Sequence, residues 1–123
     1  EKKVFSVLSS HDFQGTPAKE ELVNRLTAMH ELGADAAKLA CMPKSQEDVF
    51  TLMGATAQVK ERFPEQLLIT MSMGAAGTVS RIAGEADGSC LTFGCAQEAS
   101  APGQIEAGEL LDMLGKIHIY IHK

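Results

Sequence analysis

An α/β chain built on a parallel sheet is the architecture this sequence predicts. Four short apolar runs alternate with four helix-like segments, and such alternation gives parallel strands joined by right-handed crossovers. The runs are also nearly continuous in hydrophobicity, as strands covered on both faces are. Two architectures satisfy the pattern: a small open doubly wound sheet, or part of a (β/α)8 barrel.

The elements follow in order. The first run is Val4 to Leu8, and Thr16-Pro17 after it reads as a helix N-cap followed by proline in the first turn. Glu20 and Glu21 sit favourably in that turn, Leu22, Val23, Leu26 and Met29 form an apolar stripe, and Gly33 ends it. The second run is Ala36 to Cys41. Ser45 with Asp48 then resembles a capping box, followed by Val49, Leu52, Met53 and Val59, with Pro64 beyond the end. The third run is Leu67 to Met73, with a short helix from Val79 to Ala83. Ser89 to Phe93 is the fourth run, and Leu110, Leu111, Leu114 and Ile117 mark the last helix.

The tail from Lys116 to Lys123 fits two periods. Ile117, Ile119 and Ile121 alternate with His118, Tyr120 and His122, as in a half-buried strand. Leu114, Ile117 and Ile121 also continue the helical stripe, which would set His118 and His122 at i, i+4. The expectation adopted is a strand or extended tail packed on a partner.

Bulk properties exclude several functions. The chain has 123 residues, enough for one domain. Lys plus Arg number 11 against 16 Asp plus Glu, a net charge of −5, so a nucleic-acid footprint or attraction to an anionic membrane is not expected. No apolar run approaches the roughly 20 residues of a membrane span. Cys41, Cys90 and Cys95 lack CxxC spacing, which suits reduced thiols in the cytoplasm and no metal. No GxGxxG or GxxxxGK[ST] follows a strand. Gly74-Ala75-Ala76-Gly77 reads as a loop with tight turns.

The chemistry-bearing residues fall on the C-terminal side of successive strands, where barrels place their functional groups. Lys38 lies inside the second apolar run. Burial favours the neutral amine, which attacks carbonyls; the plainer reading is a strand-edge lysine reaching for water. His11, in Ser10-His11-Asp12-Phe13, suits proton transfer, although a turn or capping role is equally compatible. Asp12 is placed either to orient it or to cap the loop. Arg81 follows the glycine-rich loop and suits a carboxylate or phosphate, or plain solvent. Ser100 and Gln104, in Ser100-Ala101-Pro102-Gly103-Gln104, offer hydrogen bonds to a polyhydroxylated ligand, or a turn. Together these suit imine chemistry on a small anionic carbonyl compound.

In combination these segments resemble type I 3-dehydroquinate dehydratase. The resemblance rests on Ser10-His11-Asp12-Phe13 with Thr16-Pro17, Lys38-Leu39-Ala40-Cys41-Met42-Pro43, and Ile69-Thr70-Met71-Ser72-Met73 with Gly77 and Ser80-Arg81. Phe93-Gly94 and Ser100-Ala101-Pro102-Gly103-Gln104 complete it. It implies a (β/α)8 barrel about twice this length, with residues 1–123 as a single C-terminal half-barrel domain of four parallel βα units. The implied reaction is a cofactor-free dehydration in the shikimate pathway, from 3-dehydroquinate to 3-dehydroshikimate. Lys38 would form the imine, His11 would move protons, and Arg81 would pair with the substrate carboxylate. Ser100 and Gln104 would bind nearby oxygens, while Met73 and Phe93 would line the apolar side.

Gly15 and Ala75 stand where the family often has lysine, and the half that normally supplies a glutamate beside the histidine is missing. A half barrel that only binds ligand, or mainly self-associates, is the competing expectation. Unpaired sheet edges and an open inner face predict a homodimer.

Overall fold

The computed structural model describes residues 4–96 and 104–122. Three six-residue strands, β1 (Val7–Asp12), β2 (Ala36–Cys41) and β3 (Leu67–Ser72), form a parallel sheet in sequence order. Helices α1 (Lys19–Glu31) and α2 (Gln46–Arg62) connect them. A 3-10 turn (Ala75–Gly77) and the short α3 (Thr78–Ile82) and α4 (Gly84–Asp87) follow. The parallel α/β pattern read from the sequence is therefore present. A parallel pair of two-residue strands, β4 (Gly94–Cys95) and β5 (Ile105–Glu106), precedes α5 (Ala107–Ile121).

Register puts alternate residues on alternate faces. Ala37, Leu39 and Cys41 of β2 and Leu68 of β3 join Leu22, Leu26, Leu52 and Val59 in the main core. Leu22, Leu26 and Val59 are 0% exposed, each contributing roughly 1.5–3 kcal/mol of hydrophobic stabilisation. The opposite face carries a smaller cluster of Ala36, Ala40, Ile69 and Met71, with Met73 against it. Val7, Ser9 and His11 pair in register with Ala36, Lys38 and Ala40, extending this second face across β1.

The two ends of the sheet differ in kind. At the N-terminal end, buried Gln66 ties the strands together. Its Oε1 accepts from His30 Nδ1 at 2.7 Å, and its Nε2 reaches the carbonyls of Ala34, Asp35 and Leu67. At the C-terminal end the ladder steps onward, Met42 N–H donating to Asp12 O and Met73 N–H to Cys41 O. The candidate site sits at this second end.

Several local expectations change. The first strand begins at Val7, not Val4, and runs through His11. Val4 and Phe5 stay 83% and 62% exposed, because the six-residue β2 offers ladder partners only from Val7 onward. β1 also alternates between exposed and half-buried residues, whereas β2 and β3 are covered on both faces. Ala18, not Thr16, is the N-cap of α1, without a side-chain cap; Thr16 Oγ1 instead donates to Met42 O at 3.0 Å. Ser45 does cap α2, accepting from Asp48 N–H.

The run from Ser89 to Phe93 does not form a fourth strand of the main sheet. It makes one isolated bridge, Ser89 to Leu68, because Ser89 Oγ accepts the Thr70 N–H that a neighbouring strand's carbonyl would take. The tail is helical to Ile121, not extended, so the helical period of Leu114, Ile117 and Ile121 prevails over the alternation. Glu106 caps this helix, accepting from Glu109 N–H at 3.0 Å.

Candidate active site

Lys38 projects from the central strand, half-buried, between Ser9 and Ile69 in register. It is therefore not a strand-edge lysine. Among the described residues no carboxylate pairs with it. Its Nζ lies over the Phe93 ring, 4.8 Å from the centroid, a distance at which a cation and an aromatic face attract.

His11 stands on the same face at the C-terminal end of β1, exposed and stacked on Phe13 with 5.9 Å between ring centroids. Asp12 does not orient it. Its Oδ1 accepts the Gln14 and Gly15 N–H groups and so caps the loop after β1.

Arg81 arrives by a chain of backbone constraints. Gly77 packs so closely on the end of β3 that a Cβ there would fall 1.9 Å from Ser72 O. This approach lets Ser80 Oγ accept from Ser72 N–H at 2.9 Å and donate to Gly77 O, fixing α3 against the strand. Arg81 occupies the last turn of α3 and is 3% exposed, not in plain solvent. Burial pulls its guanidinium below the ordinary arginine range, and among the described residues its buried Nε has no hydrogen-bond partner. Such a donor is costly unless an anion meets it.

His11, Lys38, Met73, Arg81, Phe93 and Gln104 line one concavity of about 220 Å³, with Ala40 and Met71 as its floor. Ser100 lies outside the described residues. The floor residues escaped the sequence reading, yet strand periodicity points to them: Ala40 is two residues after Lys38, and Met71 two before Met73. A larger concavity of about 340 Å³ lies on the other side of Arg81, bordered by Glu85, Ser89, Cys90 and Leu114. Among the described residues it is lined by no lysine or histidine. The first combines an amine, an imidazole and a guanidinium, which is the set that imine chemistry on an anionic carbonyl compound requires.

Known proteins are similar to this chain in sequence and fold. The 3-dehydroquinate dehydratase of Listeria welshimeri is 56% identical over 112 residues, 91% of this chain and 44% of its own. That of Bacillus licheniformis is 50% identical over 116 residues, 94% and 46% of the two chains. The crystal structure of the type I 3-dehydroquinate dehydratase from Clostridium difficile with covalent modified comenic acid superposes with a TM-score of 0.88. It is 47% identical and covers 93% of this chain and 45% of that one. The enzyme from Geobacillus kaustophilus gives 0.87 at 43% identity. The chain spans about half the length of the relatives it matches. The family model described as type I 3-dehydroquinase matches from residue 1 to residue 121, and the chain belongs to that family.

Proposed function

We propose that this chain carries the covalent half of a 3-dehydroquinate dehydratase, a carbon–oxygen lyase of the shikimate pathway acting in the cytoplasm. The observation that carries the reading is Lys38, His11 and Arg81, whose Nε has no partner among the described residues, around one concavity. Lys38 Nζ attacks the substrate ketone and, with loss of water, forms an iminium. The iminium acts as an electron sink that acidifies the adjacent C–H bond. His11 removes that proton to give an enamine, whose electrons expel the β-hydroxyl as His11 returns a proton to it. Water hydrolyses the conjugated imine, releasing 3-dehydroshikimate and Lys38. Arg81 pairs with the substrate carboxylate; Ser100 and Gln104 bind nearby oxygens; Met73 and Phe93 form the apolar wall. No cofactor enters this chemistry.

Borohydride reduction in the presence of 3-dehydroquinate tests the reading. A stable added mass on the Lys38 peptide, absent from Lys38→Ala, is expected; labelling elsewhere or none sinks it. One observation favours a second reading, a half barrel that binds without turning over: no carboxylate meets His11 among the described residues. Lys38 trapping without growth of enone absorbance would establish that reading instead.

The half-barrel architecture of four βα units, with residues 1–123 as one domain, and the homodimer belong to the same proposal. The outer edge of β1 has no hydrogen-bonded strand among the described residues, and Val4, Phe5, Val7 and Phe13 are exposed near it. Unpaired edges and exposed apolar side chains both favour association. Light scattering at micromolar concentration is expected to report twice the monomer mass, and a stable monomer defeats the dimer.

A further inference from the structure

We propose that Glu85, His118 and His122 form a binding site for one divalent first-row transition cation of the zinc class on the outer surface of the protein. The three residues come from two elements far apart in sequence. His118 and His122 are one turn apart on α5 and present adjacent imidazoles, 4.4 Å between ring centroids. Glu85 comes from the first turn of α4. Its Oε1 lies 2.8 Å from His118 Nδ1 and its Oε2 2.8 Å from His122 Nε2. The three donor atoms all fall within 4.8 Å of one another.

The donor set decides the class of ion. Two imidazoles and a carboxylate suit zinc, copper, nickel or cobalt, whereas calcium and magnesium prefer oxygen ligands throughout. Tetrahedral bonds of about 2.0–2.1 Å place ligand atoms about 3.3 Å apart, between the hydrogen-bond spacing and the widest separation found here. Small side-chain rotations then exchange the protons shared between carboxylate and imidazoles for one cation. The side chains are 59%, 59% and 41% exposed, which leaves the fourth coordination position to water.

The site has a structural consequence. α5 buries only Leu110 fully, and this cluster ties the far end of the helix to α4. A bound cation would clip α5 to α4 at the rim of the larger concavity, which Glu85 itself borders. The inference stands on this geometry alone and is independent of the dehydration reading.

The test is calorimetric titration of the chelator-treated full chain with zinc chloride, together with cobalt(II) absorption. One saturating equivalent is expected, with an imidazole–carboxylate cobalt spectrum free of thiolate charge-transfer bands. His118→Ala, His122→Ala and Glu85→Gln, each checked for fold by circular dichroism, should weaken binding by at least about tenfold. Proton NMR of the parent provides the arm that needs no variant: cobalt should shift the rings of His118 and His122 and spare those of His11 and His30. No saturable binding overturns the proposal. So do full affinity in the His118→Ala/His122→Ala double variant, thiolate bands, or unshifted His118 and His122 rings.

Discussion

Lys38 Nζ sits 4.8 Å from the centroid of Phe93, on the wall of the concavity that both residues line. The ring holds the amine over the cavity rather than letting it extend along the strand. Phe93→Leu keeps an apolar wall and removes the aromatic face. Because the iminium formed at Nζ is a cation that the aromatic face attracts by about 0.5–1 kcal/mol, the variant is expected to lower borohydride-trappable imine by about two- to fivefold. Unchanged trapping would remove Phe93 from this role.

His11→Ala separates the two halves of the chemistry. Turnover is expected to fall by roughly 10²–10⁴, the usual range for a general acid–base group, while imine trapping at Lys38 persists. Turnover equal to the parent's would show that the proton moves through another group.

Arg81→Met should dissociate binding from stability. Methionine keeps an unbranched apolar stem and removes a buried cation whose Nε has no partner among the described residues. Hydrogen bonds to charged groups contribute about 1.5–3 kcal/mol, so KM is expected to rise roughly 10–100-fold with a smaller change in kcat. Thermal stability should stay level or increase, because the desolvation penalty disappears. A large loss of Tm with unchanged KM would make Arg81 a structural residue.

Gly77→Ala tests the path by which Arg81 is positioned. The added Cβ would meet Ser72 O at 1.9 Å, a backbone atom with little room to move. Destabilisation of at least about 1–3 kcal/mol is expected from such overpacking. Gly54→Ala, whose Cβ would meet only the end of the flexible Lys19 side chain, is expected to be tolerated. Denaturant unfolding of the two variants checks the contrast, and equal stability would contradict it.

Asp87 provides a pH-dependent prediction. Burial raises its carboxyl to about 6, partly offset by hydrogen bonding from Ser89 N–H. The folded state thus holds the proton more tightly than the unfolded chain, and stability is lost as pH rises from about 4 to about 6. Asp87→Asn retains an acceptor and removes the charge. Its advantage over the parent should grow across that window to the order of 1–3 kcal/mol and then level off. Urea unfolding at pH 4 and 7 measures it, and a pH-independent difference would refute the assignment.

Legibility in the sequence varied with the range of the forces involved. Lys38 and Arg81 were readable because a charge inside an apolar run, or just after a glycine-rich turn, is a local anomaly. The second and third strands were readable for the same reason: both their faces are covered, so the whole run is apolar. The fourth was not, since its fate turns on one hydroxyl, Ser89 Oγ, meeting an amide 19 residues earlier. Thr16 misled because its hydroxyl found Met42 O across the sheet instead of a helix end. In the tail, Ile117 and Ile121 satisfy both periods, and the helical solution aligns His118 and His122 on Glu85, more than thirty residues away.

Among the described residues β1 has a hydrogen-bonded neighbour on one side only, which would divide the proposed reaction mechanically. Lys38 belongs to a strand clamped from both flanks; His11 belongs to the margin of the sheet. Amide hydrogen exchange should therefore be slowest around Lys38 and fastest along the outward edge of β1, where local opening is easiest. Any strand that docks there would slow that exchange and stiffen the backbone beneath His11, leaving β2 little altered. The covalent step would be ready in the isolated chain, while proton transfer would sharpen only on contact with whatever completes the edge. On the proposed chemistry, such a molecule would be a latent reagent whose second half-reaction awaits complementation.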